Sequence, residues 1–487
     1  MAQLKSGLNS LARFADTKRA TDTWWLLAGL AVLGYCAARL ALMSMTHDES
    51  STVMIFQGQS WRQVLMNEPP TANNHVLNTL LVKLFSLGGL HKALVRLPNL
   101  LAGLLYLYFA YRLVGRMSRT WAGHLLGFSL LVLNAYMLEF FSLARGYGLS
   151  LGFLMGSLYF LYRFVEDRGL RSLGWSLALA VLACYSNLTL LNYFVALVVA
   201  ANLFLLAQPG SPGWRLWLHA NDRVLLAALI LGALLYFPVS TNLASGQLYF
   251  GGKNGFFADT ARSLAHQFAY AKSYRGVDMA PVFFYGSLAL LGLSLAKSAY
   301  QAVRQRVLPA DAVFIILLLL MAASNIVQHH WLGTRYLVDR TALLYFPIVA
   351  LAVFTLFDGW PSWSKLALAL ILAAHFLACV QMSQTREWWY DRFTEKAMRY
   401  VHERREEGQQ VRLGAHWLFF PTIHYYRMAW DIDYLIGPSW EDGPAPDKLY
   451  EYYYLPAEDA HKLPPGYEVE RDFEGYWLVR WPQGQSQ

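Results

Sequence analysis

Two adjacent carboxylates, Asp48 and Glu49, stand in the stretch MTHDESSTVMIF, where the first long apolar segment of the chain stops. A carboxylate can take a proton from an attacking hydroxyl. Charges at membrane depth are costly and tend to mark pathways or sites, so the pair is a candidate for chemistry as well as a plain end to a helix. A second cluster, EFFSLARGYG, runs from Glu139 to Gly148. Arg145 has a planar fork suited to phosphate, and Tyr147 can stack or donate a hydrogen bond. On an unbroken helix Glu139 and Arg145 lie about 120° apart. A turn eased by Gly146 and Gly148 lets both face one cavity, or closes as a local Glu–Arg pair. The third cluster, HHWLGTRYLVDR, holds His329, His330, Arg335, Asp339 and Arg340. Its arginines suit a phosphate, or one of them pairs with Asp339.

Weaker candidates lie between these clusters. PPTANNHVLNTL offers Asn73, Asn74, His75 and Asn78, four uncharged polar groups that can orient sugar hydroxyls or cap a helix. Lys253 lies in GGKNGFF, whose glycines lack the strand-to-helix context of a phosphate cradle. Adjacent histidines do not have metal-site spacing. Cys36, Cys184 and Cys379 all fall inside apolar segments and suggest neither a disulfide framework nor a metal site. No cofactor is expected, and a divalent metal is not favoured.

The elements that must position these residues are membrane spans. Of 487 residues, 56% are hydrophobic and 15% charged, against about 25% charged in soluble chains. Apolar runs of about 20 residues, the length that crosses a bilayer core, recur from Trp24 to Val380. Eleven spans are predicted: 24–45, 93–113, 121–138, 146–163, 173–188, 190–207, 224–240, 281–297, 311–327, 342–357 and 365–382. Lys5, Arg13, Lys18 and Arg19 place the N-terminus in the cytoplasm, and the short loops then assigned inside all carry Lys or Arg. The net charge of +8 follows from these flanks and is no sign of a nucleic-acid partner. The first apolar segment is too long for a cleavable signal and stays as a span.

On this topology the three clusters share the outer face. The loop 47–92 lies outside, with an interfacial helix anchored by Trp61 and a break at Pro69 and Pro70. A second outer loop spans 241–280. Residues 1–383 form the membrane domain and 384–487 a small outer α/β domain. In the latter, REWWYDRFTEKAMRYVHERREEG reads as a helix, and VRLGAHWLFF, DIDYLIG, KLYEYYYL, YEVERDF and EGYWLVRW read as strands. The last two form a hairpin around Glu474-Gly475.

Outer carboxylates and arginines on a membrane bundle suit a lipid-linked phosphate substrate. One carboxylate activates an acceptor hydroxyl, which displaces a polyprenyl phosphate from a sugar. The arginines stabilise the departing anion, and a single displacement inverts the anomeric centre. A transporter or flippase of a polyprenyl-linked sugar is the alternative, but it would carry polar residues mid-span rather than at outer ends. A non-catalytic scaffold is the third reading.

The sequence also resembles the GT-C superfamily of membrane glycosyltransferases, near its protein O-mannosyltransferase and lipid A aminoarabinose-transferase branch. The resemblance rests on HDES, NEPPTANNHVLNTLL, RLPNLLAGLLYLYFAYRLVGR and EFFSLARGYGLSL, with RYLVDRTALLYFP a weaker match, over roughly residues 24–350. It implies a polyprenyl-phosphate-sugar donor and an outward-facing site, with Asp48 as base, Glu139 as second acidic residue and Arg145 as phosphate ligand. Many relatives place the second acidic residue directly before Ala-Arg, whereas Glu139 lies six residues ahead of Arg145. Taken together, the catalytic candidates are Asp48, Glu49 and Glu139. The donor-binding candidates are Arg145, Tyr147, Asn74, His75, Lys253, Arg335 and Arg340. The expected setting is a bacterial inner membrane with a periplasmic C-terminus, and the acceptor is a lipid, glycan or protein.

Overall fold

The structure, a computed structural model, describes residues 2–207, 213–405, 408–437 and 450–481. The chain runs through α1 (Ala2–Leu42), α2 (His47–Phe56), α3 (Trp61–Met66), α4 (Val76–Phe85), α5 (Lys92–Met117), α6 (Trp121–Val132) and α7 (Ala135–Glu139). Then follow α8 (Gly146–Asp167), α9 (Leu170–Ser186), α10 (Leu191–Leu206), α11 (Trp214–Ala244), α12 (Arg262–Ala269), α13 (Met279–Gln305), α14 (Ala312–Leu332), α15 (Tyr345–Leu356) and α16 (Ser362–Cys379). The strands β1 (Ser273–Tyr274) and β2 (Val277–Asp278) form a small hairpin between α12 and α13. The remaining helices are α17 (Thr394–Arg404) and α18 (Phe420–Ala429).

Among the described residues eight helices are long and apolar enough to cross a membrane, or nine if the bent pair α6–α7 is one span. Each of the eleven apolar segments holds a helix, but α9 and α15 have only 17 and 12 residues. At 1.5 Å per residue, 12 residues reach roughly 18 Å, short of a hydrocarbon core of about 30 Å. The third expected span is bent by 63°. The cause is local: the Asn134 side chain accepts the Met137 N–H at 3.0 Å and starts a new helix.

The chain divides into two compact units. The first comprises Met1–Ala37, His75–Asn78 and Asn99–Val380. It is the helical membrane unit. Small residues let its helices approach: a Cβ on Gly152 would sit 2.7 Å from the Ala102 carbonyl. Buried hydroxyls pair across it, with Ser157 2.7 Å from the Ser176 carbonyl and 2.8 Å from the Tyr193 hydroxyl.

The second unit comprises Ala38–Asn74, Thr79–Pro98 and Gln381–Gln487. The C-terminal residues thus share a unit with much of the first loop, beyond the division at 383/384 read from composition. Its sheet has the order β4–β3–β5–β7–β6, with β3 (Val411–Ala415) parallel to β4 (Leu435–Ile436) and β5 (Tyr452–Pro456). β7 (Tyr476–Arg480) runs antiparallel to both β5 and β6 (Glu468–Asp472). The β6–β7 turn has Glu474 and Gly475 at φ 53° and 94°, the left-handed pair of a tight hairpin. The expected strand VRLGAHWLFF ends early, at Ala415. The His416 ring accepts the Leu418 N–H, and Pro421 stands in the first turn of α18, where its missing N–H costs nothing. The start of the expected strand KLYEYYYL, Lys448 and Leu449, lies outside the described residues.

Candidate active site

In the second unit the acidic pair occupies the first turn of α2. The Glu49 carboxylate accepts the Thr46 N–H and hydroxyl, both at 3.0 Å, closing the N-terminus. It also meets Arg96 at two points, 2.8 and 2.7 Å, and both side chains are fully buried. The remaining Arg96 donors go to the carbonyls of Leu40, Met43 and Ser44, so one guanidinium ties the end of α1 to the start of α2. Glu49, expected among the catalytic groups, is therefore enclosed. Its neighbour Asp48 lies about 100° around the helix and is half-buried. The Asp48 carbonyl accepts the Asn73 amide at 2.9 Å, and negative charge is favoured at a helix N-terminus.

Residues of the C-terminal segment complete this corner. The His47 N–H donates to Asp391 at 2.6 Å, and the His47 ring lies 2.8 Å from the Leu418 carbonyl. Burial pushes the Asp391 carboxyl well above the ordinary carboxylate range, against hydrogen bonds from His47, Thr422 and Thr394. Glu395 takes Lys92 at 2.6 Å and the Tyr426 hydroxyl at 3.1 Å. Burial opposes its charge, but Lys92, Arg399 and Tyr426 outweigh that and hold it below its ordinary value. Asn74, expected to meet sugar, is buried and donates to the Val64 carbonyl and the Asn67 side chain, both at 3.0 Å. At the far end of α2, Lys83 donates to the carbonyls of Phe56, Gln57 and Gln59.

In the first unit Glu139 and Arg145 are both buried, one closing α7 and the other immediately before α8. The Tyr270 hydroxyl donates to Glu139 at 2.5 Å. Arg145 lies over the Tyr147 ring at 5.9 Å, and Tyr147 packs edge-on against His75 at 4.9 Å. The backbone around Arg145 is held from both sides. Asn78 donates to the Ala144 carbonyl at 2.9 Å, Asn99 donates to Asn78 at 2.9 Å, and the Leu149 N–H donates to Asn99 at 2.9 Å. Gly146 and Gly148, expected to loosen this turn, tighten it. A Cβ on Gly146 would overlap the Ser186 carbonyl and lie 2.6 Å from the His75 Cβ. One on Gly148 would overlap the Phe140 carbonyl.

The segment 250–270 joins the third cluster to this region. Gly252 and Tyr336 form a two-way backbone bridge at 2.9 and 3.0 Å, which brings the strand of loop carrying Lys253 beside Arg335. Lys253 is exposed and Arg335 half-buried, while Arg340 stacks over Phe250 at 4.6 Å. Asp339 accepts Gln267 at 2.8 Å, and its N–H donates to Ser263 at 3.0 Å. Helix α12 therefore holds Asp339 through Ser263 and Gln267, and Tyr270, just past its end, holds Glu139. His329 lies 2.7 Å from the Thr334 carbonyl and stacks on Tyr336 at 4.2 Å.

Sequence reasoning missed Arg96, Asn99, Tyr270, Gln267 and Asp391. Arg96 and Asn99 carried a signal, being polar residues in the apolar run RLPNLL. The others sit in ordinary polar stretches and acquire meaning only through partners. Among the described residues no group of three or more His, Cys, Asp or Glu side chains is placed to hold a metal ion.

Fold and site together define a multi-pass helical membrane protein with a small mixed sheet at its C-terminal end. No family model and no curated protein matches the chain. Among solved structures it is similar to ArnT from Cupriavidus metallidurans in the apo state, at 12% identity over 94% of this chain and 98% of that one, TM-score 0.42. The undecaprenyl-phosphate-bound form matches at 11% identity over 95% and 98%, TM-score 0.42. It is also similar to the arabinosyltransferase EmbB from Mycobacterium smegmatis, at 12% identity over 67% of this chain, TM-score 0.41, and spans 30% of that chain's length.

Proposed function

We propose that the protein is an inverting glycosyltransferase that moves a sugar from a polyprenyl-phosphate donor to an acceptor hydroxyl at the periplasmic face of a bacterial inner membrane. The observation that carries this reading is Arg145. It is a buried cation fixed at the N-terminus of a 22-residue helix, with the backbone on both sides of it held by an asparagine relay. Helix N-termini and guanidinium groups both favour phosphate.

Asp48 takes the acceptor proton. The acceptor oxygen bonds to the anomeric carbon as the carbon–oxygen bond to phosphate breaks, and polyprenyl phosphate leaves as an anion. Arg145 stabilises that charge. Lys253, Arg335 and Arg340 add positive potential, and Tyr147, with His75 packed edge-on against it, lies under the Arg145 guanidinium. We assign Glu49 to positioning rather than catalysis, because Arg96 and Thr46 occupy its carboxylate. Glu139, held by Tyr270, supplies negative charge that orients neighbouring donors.

The test uses purified protein and a panel of polyprenyl-phosphate sugars, with wild type beside Asp48→Asn and Arg145→Ala. Undecaprenyl phosphate is the first probe for the lipid product. Donor-dependent thermal stabilisation in wild type and Asp48→Asn, with phosphate-lipid release only from wild type, supports the reading. Donor binding with no release in the presence of envelope acceptors moves it to a flippase. No binding of any donor defeats it.

A further inference from the structure

Residues 43–46 join α1 to α2 and deliver the chain to Asp48. Backbone groups there that neither helix takes up need partners from elsewhere. Some partners are close in sequence: Arg96 takes the Met43 and Ser44 carbonyls, and Glu49 takes the Thr46 N–H. The others belong to the C-terminal segment of the same unit. The Tyr426 hydroxyl accepts the Met45 N–H at 2.9 Å, and Asp391 accepts the His47 N–H. The His47 ring meets the Leu418 carbonyl, which only accepts, so its Nδ1 carries the proton. In the last turn of α1, Arg39 donates to the Gln381 carbonyl and, at 3.1 Å, to the Gln384 carbonyl.

These contacts engage buried polar groups on both sides of the turn. Tyr426 is 2% exposed; its oxygen accepts from Met45 while its proton goes to Glu395. Glu395 holds Lys92, whose ammonium reaches the Met43 carbonyl at 3.3 Å. The circuit thus returns to the turn where it began. Asp391 is 1% exposed and meets the Thr394 hydroxyl at 3.3 Å as well as the His47 N–H. A carboxyl group buried on a backbone N–H and a hydroxyl, rather than on a cation, is a poor device for stability alone. It does the work of an N-cap, supplied from the far end of the chain.

The first turn of a helix frays unless its N–H groups are capped. Asp48 stands in that turn, and a reacting group displaced by about 1 Å can lose on the order of 100-fold in rate. We propose that Asp391 and Tyr426 are positioning residues of the transfer reaction, fixing the backbone on either side of Thr46 so that the Asp48 carboxylate is aimed at the acceptor hydroxyl. At these two positions the C-terminal segment acts through Asp48 rather than by touching substrate. The inference rests on Asp48 being the base.

The experiment compares full-length wild type with Tyr426→Phe, Asp391→Ala, Asp391→Asn and Asp48→Asn. Val479→Ala, in the sheet core of the same unit, is the control for lost stability. The probe is the polyprenyl-phosphate sugar that wild type turns over with an envelope acceptor. Rates are expressed per donor-binding site, so that unfolded protein does not count. Hydrogen exchange of residues 43–48 is followed without donor. Tyr426→Phe and Asp391→Ala should speed that exchange and lower kcat by about 10- to 100-fold at unchanged donor KM. Asp391→Asn keeps an acceptor for the His47 N–H and should recover most of the rate. Val479→Ala should lower the melting temperature without changing kcat. Wild-type kcat or unchanged exchange in Tyr426→Phe and Asp391→Ala, with Asp48→Asn inactive, overturns the positioning role and leaves the base assignment intact. An equal kcat loss in Val479→Ala makes the effect one of stability and overturns it too. A wild type that turns over no donor, or an active Asp48→Asn, overturns the base and this inference with it.

Discussion

Glu49 and Arg96 touch through two charge-assisted hydrogen bonds, and neither side chain reaches solvent. Removing one member of such a pair strands the other in a place without water, which costs about 3–5 kcal/mol. Glu49→Ala should therefore lower thermal stability sharply in detergent. Asp48→Asn, one residue earlier but half-buried, should cost much less, about 1 kcal/mol or below for charge lost at a helix N-terminus, while abolishing release of polyprenyl phosphate. Melting curves and turnover, measured side by side, separate the two roles. An Asp48→Asn protein that turns over normally would remove it as the base.

Tyr270→Phe deletes the hydroxyl that donates to Glu139 and keeps the ring. A hydrogen bond to a buried charged group is worth about 1.5–3 kcal/mol, and the loss should appear as a lower melting temperature. Gln267→Leu tests the Asp339 contact on the same helix in the same way.

Gly146→Ala asks the backbone to make room where the Ser186 carbonyl and His75 already sit. Overpacking of this kind costs about 1–3 kcal/mol. The Arg145 turn should shift with it, so weakened donor binding is expected along with lower stability. A Gly146→Ala protein as stable as wild type would show that the turn can open.

The two acids of the C-terminal segment should give opposite pH dependences. Glu395 is held below its ordinary value, near ~4.3, by Lys92, Arg399 and Tyr426 against its burial. Its contribution is complete above that value and disappears as pH falls through the lower folded value. Asp391 is pushed above its ordinary value, near ~3.9, by burial. Its contribution is complete below that value and is lost as pH rises through the higher folded one. Melting temperature against pH should lose its acid limb in Glu395→Gln and flatten toward higher pH in Asp391→Asn.

The apolar segments were legible because hydrophobic length alone demands helices in a bilayer. The β6–β7 hairpin was legible because Glu474-Gly475 is a local turn signal. The polar clusters were legible as positions, not as partnerships. Nothing near Glu49 in sequence announces Arg96, 47 residues away, and nothing near Glu139 announces Tyr270, 131 residues away. Gly146 and Gly148 were misread for the same reason: a glycine that gives freedom and one that gives room look identical until the neighbouring carbonyls are placed. The early end of β3 was hidden behind residues of high strand preference, which the turn capped by His416 and Pro421 in the first turn of α18 overrode.

The contact between His47 and Asp391 has a consequence for synthesis. The two residues are 344 positions apart, which a ribosome working at about 5–20 residues per second covers in roughly 17–70 s. Glu49 meets Arg96 early, but the first turn of α2 waits through most of translation for its acceptor. A nascent chain stopped before residue 391 would carry every candidate membrane span among the described residues and still hold its acidic pair in an unfinished corner. The chain thus assembles the surroundings of Asp48 last, after the membrane helices have been made.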